Sequence, residues 1–149
     1  ADGEPIRLNT APLEVIDRRR RVDRYYLPYH AALDRVVAAS RAEILFAVHT
    51  FTPVYEGQPR TLQMGVLFDE EEALAQRLLH AIADEGFHAD LNEPWSGKEG
   101  LIYSARRHAL GHGRRAIEIE VRQDLASDPA ARARIVAFLA RFFRAHPAA

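Results

Sequence analysis

Apolar positions along the 149-residue chain change period several times, and each change predicts a boundary between elements. From Leu13 to Ala39 they recur at mostly helical spacing, and Pro28, which lacks an amide donor, predicts two helical segments meeting at Tyr29 and His30. Glu43 to Phe51 carries a short continuous apolar run, the pattern of a strand covered on both faces. After a polar loop with Pro53, Gly57 and Pro59, the run Met64 to Phe68 predicts a second strand. Asp69 with Glu72 three residues on forms a capping-box-like start for a helix that runs to Glu85 and stops at Gly86. Phe87 to Leu91 predicts a third strand, Asn92 to Gly97 a turn-rich loop, and the stretch from about Glu99 to Leu110 a helix.

Ala116 to Arg122 alternates strictly, with Ile117, Ile119 and Val121 against Glu118, Glu120 and Arg122, so a strand with one apolar face is expected and three charged groups share the other. Asp128 followed by Pro129 supplies an N-cap and a residue preset for the first helical turn. Ile135, Val136, Leu139, Phe142 and Phe143 then form the expected inward stripe of a last helix. The first dozen residues show no sustained period, and the chain is expected to begin inside a larger parent sequence. Strands alternating with helices imply an α/β layered sheet, and the length suits one domain without internal repeat or linker.

Composition narrows the chemistry. With 48% apolar and 28% charged residues and a formal net charge of -1, the chain has the balance of an ordinary globular protein. No apolar run approaches the roughly 18 residues that would span a bilayer, and the start has no basic-then-apolar leader, so no membrane association and a cytoplasmic location are expected. The absence of cysteine removes disulfides, thiolate nucleophiles and Cys-based zinc sites, so any metal must use His, Asp or Glu. Lys98 is the one lysine, and the arginines are balanced by acids within most segments, so nucleic acid is not an expected partner. The run Arg18 to Arg21 lies between Asp17 and Asp23 and fits a solvated helix surface.

Several segments together resemble the N-formylglutamate amidohydrolase family, whose fold is like that of the zinc carboxypeptidases and aspartoacylases. They are Arg24-Tyr25-Tyr26-Leu27-Pro28-Tyr29-His30, Val48-His49-Thr50-Phe51-Thr52-Pro53, Gly65-Val66-Leu67-Phe68, Asn92-Glu93-Pro94-Trp95-Ser96-Gly97, Arg107-His108 and Glu118-Ile119-Glu120-Val121-Arg122-Gln123-Asp124-Leu125. They occur in the family's order over nearly the whole chain. The resemblance implies a three-layer α/β/α fold with a mixed, largely parallel sheet, phosphorylase/hydrolase-like, of which residues 1–149 form a single domain or the C-terminal portion. Trp95 departs from the family's loop, which more often has Tyr there, exchanging a hydroxyl for an indole donor.

The resemblance also implies roles. His49, at the carboxyl end of a strand where α/β folds place ligands, looks like the counterpart of a zinc-ligating histidine. A catalytic zinc ordinarily takes three protein ligands, and no His-x-x-Glu pair occurs in the 149 residues to complete the set. His108-x-x-x-His112 is disfavoured as a chelate, because Gly111 and Gly113 end the helix around it. Glu120 resembles the general base of zinc carboxypeptidases, and a solvated strand face is the alternative for Glu118, Glu120 and Arg122. Arg122, Arg107, His108 and Asn92 are expected to bind substrate, with Arg60 a further candidate for a carboxylate. His30 is open between a site role and helix packing, while Asp69 and Asp128 are assigned to caps. The implied reaction is zinc-assisted hydrolysis of N-formyl-glutamate or a similar N-acyl acidic amino acid to the amino acid and formate or another carboxylate, as in histidine degradation. The other reading is a catalytically incomplete, small-acid-binding module of the same fold. The expected partner is a small N-formyl or N-acyl amino acid, and homo-oligomerisation through apolar edges is left open.

Overall fold

A computed structural model describes residues 14–145, and the chain divides into two units, Ala1–Arg41 and Ala42–Ala149. The aperiodic stretch read over residues 1–12 lies outside the described residues. In the first unit, α1 (Val15–Arg21) runs through a π-helical turn at Val22–Tyr26 into α2 (Leu27–Ala39). Pro28 sits in the first turn of α2, so the division lies at the π turn, upstream of Tyr29 and His30 where the sequence predicted it. The wider turn, closed by Leu27 N–H donating to the Val22 carbonyl, admits the proline without a broken helix. His30 is buried and packs its ring against Tyr26 and Tyr29, at 4.2 and 5.0 Å between centroids. Arg19 pairs with Asp23 and Arg20 with Asp17 on an exposed surface, which is the solvated helix face expected of the arginine run.

The second unit contains β1 (Ile44–Phe51), β2 (Val54–Tyr55), β3 (Gln58–Pro59), β4 (Met64–Leu67), α3 (Glu72–Asp84), β5 (Ala89–Leu91), α4 (Tyr103–Gly111), β6 (Arg115–Arg122), α5 (Gln123–Ser127) and α6 (Pro129–Ala145). Its main sheet has the order β1-β6-β4-β5. β1 is parallel to β6 and β4 to β5, while β4 and β6 are antiparallel, so the sheet is mixed as the resemblance implied. β2 and β3 form a small separate hairpin through Glu56 and Gly57, whose φ angles of 50° and 75° are those of a tight two-residue turn. Two-residue strands are too short to show a period, so nothing in the pattern of the polar loop marks the hairpin within it.

Alternation on β6 separates two layers. Ile117, Ile119 and Val121 join Met64, Val66, Phe46 and the buried faces of α3 and α6, where Leu74, Leu78, Ile82, Ile135, Phe138 and Phe142 meet them. On the other face α4 places Ala105 and Ala109 against Ala116, Leu45 and Ala47. Helices thus cover both faces of the sheet, the three-layer arrangement expected.

Four details depart from the sequence reading. Among the described residues β1 is an edge strand paired with β6 alone, and its carboxyl half is largely exposed, with Val48 60% accessible; coverage on both faces was expected. Asp69 is not the cap of α3: that helix starts three residues later, and the Asp69 carboxylate pairs with Arg106. Asp128 does cap α6, its side chain accepting the Ala131 N–H at 2.7 Å, but Val136 faces out and Phe138 takes its place in the core. The short α5, between β6 and α6, was not foreseen.

The loop after β5 lies directly against β4. A methyl group on Gly65 would stand 1.7 Å from the Glu93 carbonyl oxygen, and one on Gly97 would stand 2.4 Å from that of Phe68. Asn92, at φ 52°, accepts the backbone N–H groups of Phe68 and Gly97 at 3.1 and 3.0 Å, tying the loop to the end of β4. Gly65→Ala is therefore expected to lower stability by at least about 2 kcal/mol, because backbone rather than a flexible side chain must move. Gly111→Ala, where nothing lies within 4 Å, should leave stability unchanged or raise it by a few tenths of a kcal/mol. Equal midpoints for the two variants in urea unfolding would contradict the tight loop contact.

Candidate active site

Strand register decides which side chains meet. His49 lies opposite Glu120 across the β1/β6 pair, and Gly65 lies opposite Glu120 across β4/β6. Leu67 is likewise opposite Glu118. These residues share the face that α4 covers only near the amino end of β6. Towards the carboxyl ends of β1 and β6 that face opens into a cavity of about 330 Å³, lined by His49, Leu67, Trp95, Leu101, Glu118 and Glu120.

Within it, one atom each of His49, Glu118 and Glu120 lies within 4.8 Å of the others. His49 Nε2 stands 3.8 Å from Glu118 Oε2. Both glutamates are buried, at 5% and 6% accessibility, while the His49 ring is open to the cavity. The solvated-face alternative for Glu118 and Glu120 is thereby corrected: β6 is an interior strand, flanked by β1 and β4. Glu120 Oε2 is buried and has no hydrogen-bond partner. A buried carboxylate oxygen in that state calls for a partner from outside the chain: a water, an ion or a bound molecule.

Burial sets the electrostatics. It pushes the Glu118 carboxyl up to about 7, with Glu120 adding to the rise and His49 opposing it. It also raises Glu120, against the favourable charges of His49 and Arg60. Two carboxylates two residues apart on one strand face cannot both ionise cheaply in a desolvated site.

The remaining expected site residues are dispersed. Arg122 donates from Nε and Nη2 to the two oxygens of Asp124, at 2.7 and 3.0 Å, and from Nη1 to the Arg60 carbonyl at 2.8 Å, so its fork is bound within the protein. Asn92 uses its oxygen on the loop described above. Arg107, on α4, donates to the Tyr103 hydroxyl at 2.8 Å, and His108 is buried on the same helix. None of these four lines the cavity. His112 lies just past the end of α4, as its flanking glycines indicated. Sequence reasoning placed Glu118 on the face of Glu120 without giving it a role, and did not reach Leu101 or the wall position of Trp95. The alternation with Glu120 was a visible signal for Glu118; the two cavity walls come from a loop whose path no period encodes.

The raised Glu118 carboxyl has a signed consequence for stability. Folded, it keeps its proton up to about 7, and unfolded it ionises near 4.5, so the folded chain holds the extra proton between those values. Stability therefore falls as pH rises through that window, and the cost is complete above it. In chelator-treated protein, Glu118→Gln is expected to flatten this part of the stability curve, read as thermal midpoint against pH relative to the parent chain. Superimposable curves would contradict the burial argument.

Among solved structures the chain is similar to a gene product of Agrobacterium tumefaciens, 30% identical, with a TM-score of 0.77 over 88% of this chain and 54% of that one. It is also similar in fold to the N-formylglutamate amidohydrolase from Ralstonia eutropha, 22% identical, with a TM-score of 0.53 over 76% of this chain and 44% of that one. The chain thus spans about half the length of these two relatives. Comparison with curated proteins gives no match. No helix among the described residues is long and apolar enough to cross a membrane. The family model of N-formylglutamate amidohydrolase matches residues 1–127, and on that match the chain belongs to the N-formylglutamate amidohydrolase family.

Proposed function

We propose that this chain carries the His49/Glu118/Glu120 portion of a metal-dependent amidohydrolase site. Its substrate is N-formyl-glutamate or a similar N-acyl acidic amino acid, and its products are the free amino acid and formate or the corresponding carboxylate. The observation that carries the reading is the buried, unpartnered Oε2 of Glu120 at a cavity that His49 also lines. Family membership supports the reaction class.

The donor set suits a divalent cation such as zinc: the His49 imidazole and the Glu118 carboxylate offer ligand atoms within 4.8 Å of each other and of Glu120, in a pocket without competing lysine or arginine among its lining residues. His49 would hold the ion, with Glu118 the nearest carboxylate to its Nε2. Such an ion supplies Lewis acidity towards the amide carbonyl and the attacking water.

The protein's own groups do the rest. Glu120 takes a proton from the attacking water at its unpartnered oxygen and delivers it to the departing nitrogen. Burial raises its carboxyl above the ordinary carboxylate range, which makes it a stronger proton acceptor than an exposed glutamate. Leu67 and Leu101 add apolar surface to the cavity wall.

Formate release from N-formyl-L-glutamate, measured with zinc present, tests the proposal. Glu120→Gln should retain metal and lose turnover by a factor of about 10² to 10⁴, the usual worth of a general base. His49→Ala should lose metal by elemental analysis. Undiminished formate release by the glutamine variant would remove Glu120 from the base role. A parent chain that binds the acid without releasing formate would favour the binding-module alternative.

A further inference from the structure

Arg60, just beyond β3, holds its guanidinium over three aromatic rings, 4.7 Å from the Tyr55 centroid, 5.4 Å from Phe51 and 5.5 Å from Trp95. Tyr55 and Trp95 also meet edge to face, at 6.4 Å. Rings against the faces of a guanidinium leave its in-plane N–H donors as the groups still able to bind a partner. Arg122, Arg106 and Arg141 each pair with a carboxylate, on Asp124, Asp69 and Glu85. Among the described residues no carboxylate lies within ion-pair distance of Arg60.

Its backbone is fixed on both sides. The Arg60 N–H donates to the Pro53 carbonyl at 2.8 Å, and the Arg60 carbonyl accepts Arg122 Nη1 at 2.8 Å. The Arg122–Asp124 pair thus fastens the segment that presents Arg60. Trp95, which Arg60 stacks on, is itself a wall of the cavity. The charge of Arg60 reaches the site, since it favours the ionised form of Glu120.

We infer that Arg60, held in the collar of Phe51, Tyr55 and Trp95, binds a carboxylate of the substrate and makes the cavity selective for acidic over neutral amides. The assignment rests on the amidohydrolase reading for the chemistry at Glu120, but the binding step stands apart from turnover. Planar bidentate pairing with a carboxylate is the interaction a stacked guanidinium makes best. Arg60 lies outside the motif segments, which is why Arg107 and Arg122 ranked above it in the sequence. The collar forms only when the hairpin and the 92–97 loop come together.

Trp95 is the one tryptophan of the chain, so its fluorescence reports on this wall alone. Titration of the full chain with glutarate, a dicarboxylate with no bond to hydrolyse, should give a saturable change in Trp95 emission, and glutaramide, its neutral counterpart, should give none. Arg60→Lys keeps the charge without the fork and should weaken the glutarate response about tenfold; Arg60→Met should weaken it further, each variant first shown to unfold at the parent's thermal midpoint within a few degrees. Equal responses to glutarate and glutaramide, no saturable glutarate response, or an undiminished one in Arg60→Met would each overturn the inference. Should Arg60→Met unfold early, the lysine variant carries the test. A saturable, arginine-dependent response without formate release would refute the hydrolase reading and leave this one standing; formate release with the same KM in parent and Arg60→Met would do the reverse.

Discussion

The site depends on the desolvation of two carboxylates on one interior strand. An ionised carboxylate taken out of water carries a penalty of several kcal/mol unless charges or hydrogen bonds offset it. β6 imposes that penalty at Glu118 and Glu120, because β1 and β4 pair with it on either side and α4 covers the start of its face. The apolar side of the same strand makes the arrangement stable. Ile117, Ile119 and Val121 are buried against α3 and α6, each contributing roughly 1.5 to 3 kcal/mol by burial. Core and site are thus two faces of a single alternating sequence.

From this constraint the rest of the site follows. Parallel pairing brings His49 opposite Glu120, on the face that opens into the cavity. Antiparallel pairing brings Gly65 to the other side of Glu120, where the absence of a side chain lets the Glu93 carbonyl approach. The loop held there by Asn92 then carries Trp95 to the cavity wall. Arg122, two residues beyond Glu120 on β6, fastens the 60–62 segment by its carbonyls. A strand with alternating chemistry, a glycine contact and a capped loop suffice to assemble the cavity.

Much of this was legible beforehand, and the limits have physical causes. The alternation in Ala116 to Arg122 placed Glu118 and Glu120 on a common face, but whether that face met water or protein depends on strand order, which no local period carries. His49 was legible as a residue at a strand end. The edge position of β1 was not, since an edge strand and an interior parallel strand share the same apolar run. Asp69 and Glu72 have the spacing of a capping box, yet Arg106, more than thirty residues away in sequence, claimed the Asp69 carboxylate. Asn92, Arg107 and Arg122 were marked by motif resemblance, and two of them serve the scaffold: Asn92 ties a loop and Arg122 fastens a chain segment. Motifs record that a residue matters without saying whether it touches substrate or holds what does.

The most direct test of the account is the ionisation of the two glutamates themselves, followed by carbon-13 NMR of their side-chain carboxyls in chelator-treated protein across the acid to neutral range. Burial on β6 predicts that the Glu118 resonance titrates with a midpoint at about 7, with Glu120 also displaced upward from 4.5. Midpoints near 4.5 for both would mean that water reaches the strand face, and the cavity would lose the property on which its proposed chemistry stands.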